Sequence, residues 1–268
     1  MTRRTTWVAR RERVGLLSVV MAVYNEVHTV GDVIDQVLKV DLGDRRLELV
    51  IVESNSTDGT RAIVQSYERR PNVRVIYQDK PLGKGFAVRE GLAAATGDVV
   101  LIQDGDLEYS VDDYPALLEP IERGEASFVL GSRHVRGKPM RHFAESRFTS
   151  ALLNAAHWLF TGLFDLTYWV RLRDPFTMYK VFRRECIDGL SFSSNRFDFD
   201  WELVAKLIRR GHVPIEVPVT YDSRDFASGK KVRLFRDPAT WIVACAKFRV
   251  LPVEPQPAAV GTGARVLS

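Results

Sequence analysis

Apolar and polar positions fall in alternating blocks along the first half of the chain. The runs "LLSVVMAV", "LELVIVE", "NVRVIY" and "DVVLIQ" are short and rich in β-branched residues. Between them, "TVGDVIDQVLKV", "DGTRAIVQSYERR" and "GKGFAVREGLAAATG" repeat apolar positions at the helical period. Leu49 to Val52 and Val99 to Ile102 are apolar without alternation, as in parallel strands covered by helices on both faces. The pattern predicts βαβ units and an α/β fold with an open, mostly parallel sheet flanked by helices. The second half continues with "YPALLEPIERG" as a helix, "SFVLGSR" as a strand and a basic, aromatic stretch to Arg173. "TMYKVF" reads as a strand, "FDWELVAKLIRRG" as a helix and "VPIEVPVTY" as an edge strand.

Ligands of such sheets sit beyond the carboxyl ends of the strands. The polar punctuation falls there: "YNE" after the first strand, "ESNSTDGT" after the second and "DGDLEY" after the fourth. Asp104 and Asp106 flank Gly105, so in extended backbone both carboxylates point to the same side, and the glycine admits a ligand close to the main chain. Hard oxygen ligands of this kind suit Mg²⁺ or Mn²⁺ shared with a substrate's phosphates. The same residues lead into "YSVDDYPALLEP", and a helix-capping turn is the alternative. Gly83-Lys84-Gly85 opens a helix after a strand and resembles an anion nest, although it is neither GxGxxG nor a P-loop. "STDGT" carries capping chemistry for the helix that follows.

Two downstream segments add candidates. "NRFDFDWELVAKL" sets Asp198, Asp200 and Glu202 among aromatics. An acid against an apolar wall suits a general base, because desolvation raises its pKa; acids complementing a helix dipole are the alternative. Arg224 is followed six residues later by Lys230 in "SRDFASGKKV". That is either a basic loop suited to closing over a diphosphate or a solvated surface loop.

With 268 residues, 46% of them hydrophobic and 27% charged, the chain is expected to hold one globular domain with appendages. These are a basic extension over residues 1–13, a domain over 14–250 with an amphipathic insertion over 138–172, and a disordered Pro-, Ala- and Gly-rich tail over 251–268. Two cysteines, Cys186 and Cys245, indicate no disulfide framework and a reducing compartment. No apolar segment typical of a signal peptide follows the basic start. Net charge +4 favours anionic partners such as phosphates or acidic lipid surfaces. Nucleic acid is not expected, since zinc-finger spacing, RNP-like motifs and long basic tracts beyond the N-terminal arginines are missing. Ala151 to Val170 contains Asn154, His157 and Asp165, falling short of the roughly 18 clean apolar residues of a membrane span. It reads as an amphipathic segment lying on a surface.

In this order, from about Leu16 to Asp237, these residues resemble the family 2 glycosyltransferases with the GT-A fold, most closely the polyprenol (dolichol) phosphate mannosyltransferase-like branch. The branch's "PxYNE" turn, which binds nucleotide, is matched by Ala22, Tyr24 and Glu26, and its "VDDGSTDGT" by "VESNSTDGT" with Val52, Glu53 and Ser54. Its "DAD" metal motif corresponds to Asp104-Gly105-Asp106, with Glu108 as an additional ligand, and its "GSR" arginine to Arg133. The six-residue arginine-to-lysine spacing of its closing loop matches Arg224 and Lys230, and Arg147 stands where an arginine contacts the acceptor's phosphate. Lys84 joins the nucleotide-sugar set. Two departures stand out: Ser54 replaces the usual aspartate, with Glu53 beside it as a substitute carboxylate, and Ala22 replaces the proline.

The resemblance implies a GT-A, Rossmann-like mixed sheet and a metal-dependent inverting transfer. A sugar would move from a UDP- or GDP-linked donor, with Mg²⁺ or Mn²⁺, to a polyprenyl phosphate. It also implies a cytoplasmic protein in peripheral contact with the inner membrane face. Glu202 or Asp200 would serve as base for a hydroxyl acceptor, while an ionised phosphate would need none. The same donor residues would serve a soluble acceptor, and a non-catalytic sugar-nucleotide-binding protein would keep the loops but lose the metal acids. A nucleotidyltransferase would need a glycine-rich loop where "AVYNE" stands.

Overall fold

In the computed structural model, residues 14–134, 147–222, 237–251 and 253 are described. The elements follow the order β1 (Leu16–Val23), α1 (Val30–Lys39), β2 (Arg46–Glu53), α2 (Thr60–Gln65), β3 (Val73–Tyr77), α3 (Lys84–Ala94) and β4 (Val99–Asp104). Then come α4 (Tyr114–Glu122), β5 (Phe128–Ser132), α5 (Arg147–Tyr168), β6 (Lys180–Arg183), α6 (Asp198–Arg209), β7 (Ile215–Pro218) and α7 (Asp237–Val250). The strands form one sheet in the order β3-β2-β1-β4-β6-β5-β7. Only β6 runs against its neighbours, β4 and β5. The remaining pairs are parallel.

Both faces of the sheet are covered, which is why the strands read as unbroken apolar runs. Val20, Val50, Ile102, Phe128 and Leu130 face one core with side chains of α3, α5, α6 and α7. Val19, Met21, Leu49, Leu101 and Val129 face the other, with α1 and α4. Each such side chain, fully buried, contributes about 1.5–3 kcal/mol relative to exposure.

Three elements are shorter than their patterns suggest, among them β7, four residues of "VPIEVPVTY". α2 stops after six residues, and the strand in "TMYKVF" begins only at Lys180. Thr177 and Met178 are instead spent on contacts with Tyr109 and Lys84. The sequence-predicted amphipathic segment is the 22-residue helix α5. Residues 1–13, most of the tail, residues 138–146 of the insertion, Arg224 and Lys230 lie outside the described residues. So does the side chain of Arg147, whose backbone opens α5.

Candidate active site

β1 and β2 pair in register up to Val23 and Glu53, so their two loops leave the sheet side by side. Side chains then lace the loops together. The amide of Asn25 donates to Ser56 Oγ (3.0 Å), Thr57 N–H to Asn25 Oδ1 (2.9 Å), Glu26 N–H to Thr60 Oγ1 (2.8 Å) and Val27 N–H to Asp58 Oδ2 (3.1 Å). Asn25 (φ 51°) and Asn55 (φ 56°) hold the left-handed conformation that asparagine tolerates best among residues with side chains. The capping expected of "STDGT" falls to Asp58, whose Oδ1 accepts the Thr60 amide (3.0 Å) and hydroxyl (2.6 Å) at the start of α2, while Gly59, the N-cap residue, has no side chain to offer.

Three residues predicted to touch the nucleotide are turned inward. Val52 is packed in the sheet core. Glu53 is fully buried and folds its own loop, accepting the amides of Ser56 (2.6 Å) and Asn55 (3.2 Å) with Arg61 Nε at 3.5 Å. It therefore presents no free carboxylate in place of the missing aspartate. Ser54 is buried, its N–H bonded to the Val23 carbonyl. Tyr24 is exposed at this edge and Ala22 half-buried beneath it.

Asp104 ends β4, in register with Ala22 of β1, and so emerges beside the first loop. The capping alternative for the acidic turn does not hold: Ser110 caps the next helical turn, its Oγ accepting from Asp112 N–H (3.3 Å). Asp106 is buried and accepts the Glu108 amide (3.1 Å). The Thr29 hydroxyl lies between the Gly105 carbonyl (3.0 Å) and the Glu26 carboxylate (3.3 Å), tying the turn to the entry of α1. Glu108, expected as a third metal ligand, is held to the strand-end segment beyond β7. Its Oε2 accepts from the Tyr221 hydroxyl (3.2 Å), its carbonyl accepts from Asp222 N–H, and among the described residues no three His, Cys, Asp or Glu side chains form a ready metal cage. Two carboxylates on one turn still fit Mg²⁺ or Mn²⁺, ions that take one or two protein carboxylates and complete their shell with water and substrate phosphates.

Lys84 demonstrates the demand for a cation there, its Nζ lying 2.5 Å from Asp104 Oδ1 and 3.2 Å from Met178 Sδ. Burial opposes its charge, but Asp104, Asp200 and Asp106 outweigh burial and raise its pKa. The flanking glycines serve packing. A Cβ at Gly83 (φ 106°) would lie 2.2 Å from the Asn195 carbonyl oxygen, and one at Gly85 2.6 Å from Phe199 Cβ. Without side chains there, α3 docks against the entry of α6 and Lys84 reaches across to the acidic turn.

The two α6 acids proposed as bases are already engaged. Glu202 is fully buried and accepts the amides of Ser193 (3.0 Å) and Ser194 (2.7 Å) and the Lys206 ammonium (2.6 Å). Burial opposes its charge, yet these donors hold it below the ordinary carboxylate range. Such an acid serves the fold and is a poor proton acceptor. Asp200 receives the ammonium of Lys180 at 2.8 Å. Lys180 is itself fully buried, and burial lowers its pKa despite Asp200. Arg133, predicted on the diphosphate, is spent on a buried two-pronged pair with Asp174: Nε to Oδ2 and Nη2 to Oδ1, both 2.7 Å, under the Tyr221 ring. Burial works against Asp174's charge, but Arg133 draws its pKa down to about 2. Lys180 and Asp174 escaped sequence reasoning because a lysine opening a strand and an aspartate before a proline carry no local sign of burial.

An open mixed sheet with an acidic turn closing its fourth strand, beside two laced loops, defines a GT-A glycosyltransferase domain. Glucosyl-3-phosphoglycerate synthase of Mycobacterium tuberculosis superposes with a TM-score of 0.65 at 22% identity, covering 89% of this chain and 82% of its own. Its complex with Mn²⁺, UDP-glucose and phosphoglyceric acid gives 0.64 at 21%, covering 93% and 86%. The chain belongs to glycosyl transferase family 2, whose sequence pattern matches residues 18–203. Dolichol-phosphate mannosyltransferase of Pyrococcus furiosus is 26% identical over 208 residues, 78% of this chain and 57% of that protein. Dolichyl-phosphate hexose transferase of Haloferax volcanii is 30% identical over 78% of this chain and 83% of its own length. Dodecaprenyl-phosphate galacturonate synthase of Rhizobium johnstonii is 24% identical over 80% and 61%. The chain thus spans about three-fifths of the length of the first and third of these relatives.

Proposed function

We propose that this glycosyltransferase moves a sugar, with inversion, from a nucleoside diphosphate sugar to the phosphate of a polyprenyl phosphate at the cytoplasmic membrane face. The observation that carries the acceptor assignment is the state of the α6 carboxylates. Glu202 is neutralised by Lys206 and two amides, and Asp200 by Lys180. A hydroxyl acceptor needs a free base, whereas a phosphate monoester, with a second pKa near about 6, is already ionised at neutral pH. The names of the relatives, dolichol- and dodecaprenyl-phosphate enzymes among them, support the same reading.

In this reaction the acceptor oxygen forms a bond to the anomeric carbon opposite the departing diphosphate, whose bond to that carbon breaks. A divalent ion held by Asp104 and Asp106 would supply charge neutralisation to the leaving diphosphate, as Mn²⁺ accompanies UDP-glucose in the mycobacterial synthase. Lys84 adds a cation at the same turn, and Arg224 and Lys230, outside the described residues, add two more from the closing loop. Tyr24 offers its ring at the donor edge.

The test is transfer from labelled UDP- and GDP-sugars to a short polyprenyl phosphate, with Mn²⁺, Mg²⁺ or chelator. A metal-dependent, inverted sugar phosphodiester is the expected product. Transfer to soluble hydroxyl acceptors in preference to polyprenyl phosphate would overturn the acceptor assignment.

A further inference from the structure

Lys84 stands between two acids that belong to different parts of the fold. On one side its Nζ lies 2.5 Å from Asp104 Oδ1, at the end of β4. On the other is the carboxylate of Asp200, in the first turn of α6, which also attracts the ammonium. The dock of α3 on α6 keeps Lys84 within reach of both. The Phe86 amide donates to the Asn195 carbonyl (3.2 Å), and Gly83 and Gly85 let the two helix entries touch where a Cβ would collide.

Asp200 is buried, and its Oδ1 receives the Lys180 ammonium at 2.8 Å. Lys180 is fully buried and donates as well to the Thr177 carbonyl, ahead of β6. Acid and ammonium therefore alternate from the carboxyl edge of the sheet inward: Asp104, Lys84, Asp200, Lys180. Lys180 is enclosed in this row, whereas the Lys84 side chain is 23% exposed and ends a flexible four-carbon stem with three donors. Lys84 is the member that can move.

A divalent ion on Asp104 and Asp106 would set two positive charges against the ammonium on Asp104 Oδ1. Like charges on one carboxylate repel far more strongly in a water-poor site than in bulk water. The ammonium has to yield that oxygen, and Asp200 is the acid that already draws it from the far side.

We propose that Lys84 and the divalent ion take turns on Asp104: the ammonium neutralises the carboxylate before the ion enters and swings to Asp200 as it arrives. Asp200 is then a positioning residue for metal capture, with Lys180 fixing its carboxylate in place. The inference rests on the assignment of the ion to Asp104 and Asp106. It also gives the tight dock a use, since α3 pushed off α6 would carry Lys84 away from Asp200 and leave it competing with the ion on Asp104.

The experiment is Mn²⁺ binding to the full chain without nucleotide, read from the paramagnetic resonance signal of the free ion. Lys84→Met should tighten binding about tenfold or more, because methionine nearly keeps the length of the side chain and removes the competing charge. Lost packing alone would loosen binding, so tightening separates competition from a structural role. Asp200→Asn should loosen binding about tenfold in the parent and change it less than about threefold in the Lys84→Met background, because Asp200 acts through Lys84. Asp200→Asn also strips Lys180 of its partner; should that variant not fold, Lys84→Met decides the matter alone. Unchanged or weaker Mn²⁺ binding by Lys84→Met overturns the proposal, and an equal effect of Asp200→Asn in both backgrounds overturns the role of Asp200. Asp106→Ala is the control for the site itself. If it removes no Mn²⁺ binding from either the parent or the Lys84→Met protein, the metal assignment falls and this inference with it.

Discussion

At the edge formed by β1, β2 and β4, polar side chains tie neighbouring segments together: Asn25 Oδ1 accepts the Thr57 amide, Asp58 accepts the Val27 amide, and Lys84 pairs with Asp104. On the outer face of α5, large apolar side chains meet solvent with nothing from the described chain over them. The contrast separates two kinds of surface. Loops tied to one another beforehand need not be ordered when a ligand binds, which would cost affinity. An apolar helix face left open by the described chain keeps side chains that a free-standing protein would bury.

The largest expected effect tests the donor edge. Asp106→Ala should lower transfer by about a thousandfold, the scale of removing one electrostatic contact to developing charge. Stability should fall less than on breaking the buried pair of Glu202, because the Glu108 amide that Asp106 accepts comes from its own turn. Activity within tenfold of the parent would break the assignment of that turn. Glu202→Ala should do the reverse. Leaving Lys206 buried without its partner costs about 3–5 kcal/mol in urea unfolding. The turnover of the molecules that remain folded should stay near the parent value, and its collapse would restore Glu202 as a base.

A third expectation concerns pH near α5. His157 is buried against His134, Asp174, Arg133 and the Arg173 carbonyl. Burial is the main cause that lowers its pKa to about 4 from 6.5, against the pull of Asp174. As pH falls from 6.5 toward 4 the unfolded chain takes the proton first. Stability, complete above about 6.5, should therefore drop by about 3 kcal/mol across that window. Below it the stabilisation from Asp174, whose pKa falls from 3.8 to about 2 in the fold, is lost as pH passes through 2. His157→Gln should flatten the upper window in thermal melts, and an unchanged slope would disprove the assignment. The smallest effect is at the α3 dock. Gly85→Ala sets a Cβ 2.6 Å from Phe199 and should cost about 1–3 kcal/mol of stability. The displacement of Lys84 should raise the metal concentration needed for half-maximal transfer.

Much of this architecture was legible in the chain. Parallel strands buried on both faces carry unbroken apolar runs, and the turns after β1, β2 and β4 carry their polar residues where a parallel sheet must expose its carboxyl edge. The acidic turn at the end of β4 and the helix within Ala151 to Val170 were readable for the same reason, since each depends on neighbours in sequence. What escaped was the use of each charge. Glu53 and Arg133 look like ligands in a motif and Glu202 like a general base, yet Ser56, Asp174 and Lys206 pair with them.

Sequence alone determined the periodicities, the order of elements and the composition of each loop, because these follow from local backbone preference and from which faces must be buried. Tertiary structure alone decided which carboxylates are free and which are neutralised. That depends on partners as far apart as Arg133 and Asp174, or Lys180 and Asp200. A buried charge is stable only with a counter-charge in contact, and contact between distant residues is set by the packing of the sheet and its helices.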